Sequence, residues 1–234
     1  MVWPKLRPAF LPRAWLLLWL ATAALAAPAL GQILLGEEAR FRDAQQWSRV
    51  FDDPLRDRWQ KPAQVIRALE LKPGSRVADI GSATGYFAVR LARAVPKGRV
   101  FGVDIEPEMV RFLAERGKKE GLGNLTSIAG APDDPKLPEA VDVMVLVDAY
   151  HHLSDRVGYL SKLRRYLRPG GRVAIIDHID TPGGTLRSKR IAPRRIKDEL
   201  RRAGYVVWRE HAFLPMQYFV IFKPAPRKRA REIE

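Results

Sequence analysis

The chain has 234 residues, of which 47% are hydrophobic and 29% are charged, a balance typical of one folded globular domain. It contains no cysteine, which excludes disulfides, zinc ribbons and thiol catalysis, and we predict no metal site. The formal net charge of +15 indicates affinity for something anionic, such as nucleic acid, acidic lipid or an acidic substrate, without choosing among them.

The first 31 residues differ in character from the rest of the chain. Three basic residues precede an uncharged run from 14 to 36 that is rich in leucine, tryptophan and alanine. Small residues at Ala29 and Gly31 are typical of a signal-peptide cleavage site. A run of this length can also span a bilayer as an uncleaved anchor. We therefore predict that residues 1–31 are a signal peptide or a membrane anchor, and that the protein is exported to the periplasm or anchored to the membrane.

Helices and strands alternate after a polar lead-in at residues 32–60, which we predict to be helical or irregular. The predicted strands are 76–80, 99–104, 124–130, 141–148, 172–177, 205–211 and 217–223. The predicted helices are 63–71, 85–95, 106–121, 154–168 and 193–203.

This order predicts an α/β fold with a mostly parallel sheet and helices on both faces. The long apolar run at 141–148 is typical of a central strand that is covered on both faces. Ser154 is placed to cap the helix that follows. The last two strands have no helix between them, so we expect them to be antiparallel. The basic tail at 224–234 is predicted to be disordered.

A glycine-containing turn, "DIGSATG" at 79–85, connects the first strand to the helix after it. Open α/β sheets bind ligands at the carboxyl ends of their strands, and small residues in such a turn let the backbone approach a ligand closely. Asp104 ends the second strand, where a carboxylate can accept hydrogen bonds from both hydroxyls of a ribose. The ligand is therefore predicted to carry an unphosphorylated adenosine ribose, which NAD and S-adenosylmethionine both do.

Two residues favour S-adenosylmethionine over NAD. A dinucleotide fingerprint has a third glycine where this chain has Tyr86, and that glycine allows the close approach that a pyrophosphate needs. Asp79, before the first glycine, suits a cation better than a phosphate. S-adenosylmethionine carries an ammonium and a sulfonium, whereas NAD has two negative phosphates in that region.

Four segments together carry a family resemblance: "VADIGSATGYFAVRLA", "VFGVDIEPEMV", "VDVMVLVDAYHHL" and "LRRYLRPGGRVAIIDH". In order and spacing they resemble the motifs of class I S-adenosylmethionine-dependent methyltransferases, and they are most similar to the small-molecule branch that includes quinone-biosynthesis-type enzymes. The resemblance extends over about residues 60 to 223. It implies a Rossmann-like, seven-stranded sheet with an antiparallel last strand, and a methyltransferase domain at 61–223.

The resemblance also implies which residues hold the methionine part of the cofactor. Gly81, Ala83 and Gly85 would line it, although most family members have glycine at the place of Ala83. Asp79 would hold the ammonium, directly or through water. Asp148, at the end of the fourth strand, would face the same end of the cofactor.

For the adenosine part, the resemblance implies that Asp104 accepts from the ribose and that Ile105 packs on the adenine. Asp133 would accept from the adenine amino group, with Asp134 as its rival. The other reading of these two aspartates is that they are turn residues before Pro135.

The segment "DAYHH" at 148–152 bears on the chemistry. His151 or His152 is a candidate general base, since an imidazole titrates near neutrality, although one could instead cap the next helix while the other packs. The segment lacks the Asn/Asp-Pro-Pro-aromatic element of the methyltransferases that act on nucleic-acid bases, so we do not expect a nucleic-acid partner. Arg187 to Arg202 is a basic cluster that could bind RNA, acidic lipid or an anionic substrate, or be a solvated helix face.

The sequence therefore predicts an S-adenosylmethionine-dependent methyltransferase that acts on a small acceptor, hydrophobic or membrane-borne. Membrane association would come from the amino-terminal segment or the basic surface. Two alternatives stay open: a nucleic-acid methyltransferase, and a non-catalytic binding protein that keeps the fold.

Overall fold

A computed structural model describes residues 43–179 and 191–226. The predicted leader at 1–31 lies outside the described residues, as do most of the predicted tail and part of the basic cluster that begins at Arg187. In the two described stretches, no helix has both the length and the apolar character that crossing a bilayer requires.

The described strands are β1 (Arg76–Ile80), β2 (Arg99–Asp104), β3 (Leu125–Ala129), β4 (Val141–Val147), β5 (Leu167–His178), β6 (Tyr205–His211) and β7 (Gln217–Pro224). The described α-helices are α1 (Ala44–Phe51), α2 (Arg56–Gln60), α3 (Pro62–Ala68), α4 (Ala88–Ala94), α5 (Pro107–Lys119), α6 (Arg156–Leu163) and α7 (Pro193–Arg202). Short 3-10 turns cover Tyr150–His152 and Arg164–Tyr166.

The strands of the described residues form one seven-stranded sheet in the order β3-β2-β1-β4-β5-β7-β6. Strands β1 to β5 run parallel, and β7 is antiparallel to both β5 and β6. The predicted fold class and the antiparallel final pair are thereby confirmed. The strand order reverses between β1 and β4, which opens a crevice at the carboxyl edge of the sheet.

Apolar side chains cover both faces of this sheet. On one face, Leu160 of α6 and Ile196 of α7 pack in a cluster with residues of β4 and β5. On the other face, Val65, Leu91 and Leu113 bring α3, α4 and α5 into a second cluster. Strand β4 lies between β1 and β5 and is almost wholly buried, as its apolar sequence predicts.

Three local predictions need correction. The helix after the fourth strand is capped by Asp155, not Ser154, because an Asp155 carboxylate oxygen accepts from the Gly158 amide at 3.0 Å. That helix also ends earlier than predicted, at Leu163. Strand β5 begins at Leu167 and continues through the predicted turn, with an irregularity in its pairing with β4.

Candidate functional site

Four acidic side chains lie at the carboxyl edge of the parallel strands. Asp79 and Asp104 belong to the ends of β1 and β2, Asp148 follows β4 directly, and Asp177 is near the end of β5. Because these strands are parallel, their carboxyl ends meet on the same side of the sheet, around the crevice between β1 and β4. The structure thus brings together three predicted cofactor residues and adds Asp177.

The glycine turn has a left-handed backbone at three positions. Gly81, Ala83 and Gly85 all have left-handed conformations, with φ of 75°, 46° and 91°. A Cβ atom on Gly81 would lie 2.6 Å from the Cβ of Ala149, so only glycine fits where the turn passes the end of β4. Ala83 adopts its left-handed conformation at a cost that glycine would not incur.

Asp104 is tied to this turn. One of its carboxylate oxygens accepts from the Ala83 amide at 2.8 Å, and the other accepts from the Glu106 amide at 3.0 Å. Burial raises the pKa of Asp104, against the effect of these amide donors. Its neighbour Ile105 is 56% exposed, an unusual state for a large apolar residue that directly follows a core strand. The pair therefore presents a carboxylate and an apolar side chain side by side at the crevice.

Asp79 is buried beneath the turn, and burial raises its pKa to about 7. The positive charge of Arg56 opposes that rise, and the charge of Asp104 adds to it. Arg56 comes from α2, in the segment predicted to be a lead-in, and burial lowers the pKa of its guanidinium. A buried carboxylate with an elevated pKa in a crevice is typical of a site that a cationic ligand completes.

Tyr86 occupies the place of the third glycine in a dinucleotide fingerprint. The Cζ atoms of Arg56 and Arg90 lie 4.1 and 4.0 Å from its ring centroid, and its hydroxyl donates to Asp57. The phenol ring therefore fastens α2 to the beginning of α4 by cation–π contacts and a hydrogen bond.

Asp148 is the centre of a buried polar network and has a left-handed backbone, with φ of 53°. Its two carboxylate oxygens accept from the side-chain amides of Gln60 at 3.0 Å and Gln217 at 2.5 Å. The His178 Nε2 atom lies 3.3 Å away, and an Arg56 Nη atom lies 3.6 Å away. Burial raises the pKa of Asp148, and the charges of His178 and Arg56 oppose that rise.

His151 and Asp177 form a hydrogen-bonded pair. The Nδ1 atom of His151 lies 2.9 and 3.0 Å from the two carboxylate oxygens of Asp177, which is itself buried and also accepts from the backbone amide of His151. An ionised carboxylate accepts only, so Nδ1 is the donor of this pair, and in the neutral imidazole Nε2 is then the nitrogen with the lone pair. The ring of His152 lies 4.1 Å from that of His151, centroid to centroid. The structure therefore distinguishes two histidines that the sequence leaves equivalent.

Asp133 and Asp134 lie on the surface beyond β3. The side chain of Asp133 is 72% exposed and lies 2.6 Å from the Lys162 Nζ atom. Asp134 accepts from the Tyr166 hydroxyl at 2.7 Å and from Arg165. Of the two predicted rivals for the adenine amino group, Asp133 is the more accessible.

The described part of the basic cluster is largely paired with acidic residues. In α7, Arg195 contacts Glu199 at 3.0 Å and Lys197 contacts Glu210 at 2.7 Å. Arg201 lies 3.6 Å from Asp198 on the same helix face. These pairs match the reading of α7 as a solvated helix face.

The donor set at the crevice fits S-adenosylmethionine. The carboxylates of Asp79, Asp104 and Asp148 could hold an ammonium and a ribose, and the Arg56 guanidinium could pair with a carboxylate. Within the described residues, the hydroxyls of Ser82 and Thr84 in the turn are buried without a hydrogen-bond partner. A pyrophosphate would meet three carboxylates here, so the set does not fit a dinucleotide.

Five residues of the site escape sequence reasoning: Arg56, Gln60, Asp177, His178 and Gln217. "IIDH" ends a strand in an acidic residue, as the β2 sequence does, and this signal could have identified Asp177. No local pattern marks Gln60 or Gln217, because their roles depend on how α2 and β7 meet across the sheet edge.

Comparison with known proteins agrees with the geometry. A family described as "Methyltransferase domain" matches residues 71–211, more than half of the chain. A demethylmenaquinone methyltransferase of Geobacillus kaustophilus is 27% identical over 122 residues, which are 51% of this chain and 51% of that protein. A 27-O-demethylrifamycin SV methyltransferase of Amycolatopsis mediterranei is 32% identical over 49% of this chain and 42% of its own length. The chain thus spans about half the length of the curated relatives it matches.

A solved structure extends the match over most of the fold. A SAM-dependent methyltransferase from Aquifex aeolicus has 27% sequence identity and a TM-score of 0.70, and the match covers 77% of this chain and 97% of that one. The strand order, the glycine turn and the family match agree with one another. The chain therefore belongs to the methyltransferase-domain family, with the fold of its class I members that use S-adenosylmethionine.

Proposed function

We propose that this protein transfers a methyl group from S-adenosylmethionine to a hydroxyl of a small hydrophobic acceptor, with His151 as the general base. The His151–Asp177 pair at the carboxyl edge carries the proposal, because it leaves an imidazole nitrogen available for a proton beside the cofactor crevice. When bound, the cofactor supplies an electrophilic methyl group.

Different residues of the chain bind different parts of the cofactor. Asp104 accepts from the ribose hydroxyls, Ile105 packs on the adenine, and Asp133 accepts from the adenine amino group. The turn of Gly81, Ala83 and Gly85 lines the methionine part. This division is supported by the exposure of Ile105 and by the place of Asp104 at the end of β2.

Charge assigns the amino-acid end of the cofactor. Asp79 and Asp148 receive the ammonium, and Arg56 receives the carboxylate. Arg56 has one Nη group turned towards Asp148 at 3.6 Å, while its other groups are held by Phe51 and Gln60. Binding of the cofactor would add a cationic partner to both carboxylates, whose pKa values burial raises despite the charge of Arg56.

His151 acts on the acceptor. Asp177 holds the imidazole with Nδ1 protonated, so Nε2 accepts the proton that the acceptor hydroxyl loses. Asp177 also stabilises the imidazolium that results. His152 packs against this ring, and we propose no role for it in proton transfer.

Exposed apolar side chains next to the site support a hydrophobic acceptor. Leu55 precedes Arg56 and is 55% exposed, and Met216 precedes Gln217 and is 45% exposed. The Trp59 ring lies 5.9 Å from that of His178. The names of two relatives specify demethylmenaquinone and the 27-O position of rifamycin SV, which are compatible with such an acceptor. We further propose that the acceptor is membrane-borne, in line with the predicted leader.

A labelled-methyl transfer assay tests the function. Purified protein would be incubated with methyl-tritiated S-adenosylmethionine and separate quinone, lipid and RNA fractions. We expect label in the quinone or lipid fraction, and loss of that label in His151→Ala. Label in the RNA fraction alone would contradict the acceptor class, and no transfer to any fraction by a protein that binds the cofactor would contradict the activity.

A further inference from the structure

Two buried glutamines from distant parts of the chain meet at Asp148. Gln60 ends α2 and Gln217 begins β7, and both side chains are buried. The Gln60 amide nitrogen lies 3.0 Å from an Asp148 carboxylate oxygen and 3.0 Å from the Gln217 side-chain oxygen. The Gln217 amide nitrogen lies 2.5 Å from the other Asp148 oxygen. The three side chains therefore form a closed triangle of hydrogen bonds.

Chemistry fixes the orientation of both amides. The guanidinium Nε of Arg56 can only donate, and it contacts the Gln60 side-chain oxygen. The Gln60 NH₂ group must then face Asp148 and Gln217, and it uses both hydrogens there. Each hydrogen bond in the triangle therefore has one direction, and all three donors are satisfied when Asp148 is an anion.

We propose that Gln60 and Gln217 are positioning residues, which keep the Asp148 side chain ionised and fix its orientation in the cofactor site. Through Gln60, helix α2 then contributes to cofactor binding. The proposal rests on the proposed role of Asp148 towards the ammonium of the cofactor. The left-handed backbone of Asp148 supports it, because a strained residue at a site persists only where its surroundings over-determine it. A hydrophobic pair in place of the glutamines would leave two carboxylate oxygens without their amide donors.

The charged and titratable groups that face Asp148 come from three elements. Arg56 of α2 and His178 of β5 are the cationic or potentially cationic neighbours. Asp177 of β5 adds a like charge, and Tyr218 of β7 is a buried phenol nearby. Burial raises the pKa of Asp148, and the Gln60 hydrogen bond lowers it. Hydrogen bonds from the amides therefore oppose the rise in the Asp148 pKa that burial causes.

Side-chain carboxyl NMR of protein labelled with carbon-13 at aspartate tests this directly, with the Asp148 resonance assigned from Asp148→Asn. Gln60→Met and Gln217→Met keep the approximate side-chain shape and remove the donors. We expect each to move the Asp148 titration up by about one pH unit. Asn124→Leu is the matched control, because Asn124 also makes two hydrogen bonds through its amide nitrogen, to Ala92 and Val95. Control and wild type should titrate alike.

Cofactor affinity, measured by calorimetry, supplies a second readout. Gln60→Met should weaken S-adenosylmethionine binding about tenfold at pH 7, and should add nothing further in the Asp148→Asn background. Equal losses in both backgrounds would mean a merely structural role, and an unmoved Asp148 titration in both methionine variants would overturn the proposal. If Asp148→Asn alone binds the cofactor normally, the assignment of Asp148 to the ammonium fails. The NMR titration still tests separately whether Gln60 and Gln217 keep Asp148 ionised.

Discussion

Asp177 holds His151 through both of its carboxylate oxygens, at 2.9 and 3.0 Å from Nδ1. The first residue lies near the end of β5 and the second in the turn after β4, so the register of two parallel strands sets the geometry of the pair.

His151→Ala should lower kcat by about 10²–10⁴-fold, because a positioned general base contributes that much to proton transfer. Asp177→Asn should also lower kcat, since an asparagine can present its NH₂ group to Nδ1 and favour the wrong tautomer. Initial rates at saturating acceptor check both variants. His152→Ala is the control and should keep kcat near the wild-type value. A wild-type kcat in His151→Ala would remove that residue from the mechanism.

Asp79 should make the cofactor-free protein less stable as the pH rises. Its pKa is raised from an ordinary value of 3.8 to about 7, so the folded state binds more protons than the unfolded state between those values. The contribution of Asp79 to the free energy of unfolding is therefore fully present below about pH 4. It decreases as the pH rises to about 7, by at most about 4 kcal/mol. Urea unfolding from pH 4.5 to 7.5 measures the slope. Burial also raises the pKa values of Asp104 and Asp148, so Asp79→Asn should reduce the slope without abolishing it. An equal slope in that variant would show that other groups are responsible.

The stability of the protein should respond strongly to one substitution in the glycine turn and weakly to another. Gly81→Ala should cost about 2–4 kcal/mol of unfolding free energy, because the new Cβ meets Ala149 and the backbone is left-handed. Ala83→Gly should stay within about 1 kcal/mol of wild type, since relief of the left-handed alanine offsets the greater chain entropy of glycine. Denaturant unfolding of both variants tests this. A tolerated Gly81→Ala would argue against the close approach of the turn to β4.

Arg56 should matter only to ligands with an amino-acid end. Arg56→Gln should weaken S-adenosylmethionine binding by roughly tenfold or more, because it removes a charge-assisted hydrogen bond to the carboxylate. Binding of 5′-methylthioadenosine, which lacks that carboxylate, should change little. Competition titrations with the two compounds make the comparison. Equal losses for both would place the effect of Arg56 in the packing of α2 on Tyr86 instead.

The sequence predicts the strands that surround the site well, but only some of the side chains that form it. Asp79, Asp104 and Asp148 could be placed at one edge because each ends a recognisable strand, and parallel strands share their carboxyl edge. Arg56 could not be placed, since α2 is a single short helix without a periodic pattern and its position comes from contact with Tyr86. The sequence shows that residues are available, but not which of them meet.

Gln217 shows the same limit in another form. The sequence predicts the strand that contains Gln217. It does not predict the contact of Gln217 with Asp148, which depends on the antiparallel register that sets His178 opposite Gln217. A shift of one residue would turn the Gln217 side chain to the other face of the sheet. The choice between His151 and His152 likewise depends on Asp177, which lies in the neighbouring strand.

A calorimetric titration of S-adenosylmethionine into wild-type protein and Asp104→Ala tests the central claim most directly. We predict that the wild type binds and that the variant loses about 2–4 kcal/mol, or roughly 30- to 1,000-fold in affinity, because a carboxylate that accepts from two ribose hydroxyls is lost. Circular dichroism should confirm that the variant is folded. Unchanged affinity in Asp104→Ala, or a wild type that takes up NAD and not S-adenosylmethionine, would contradict the account.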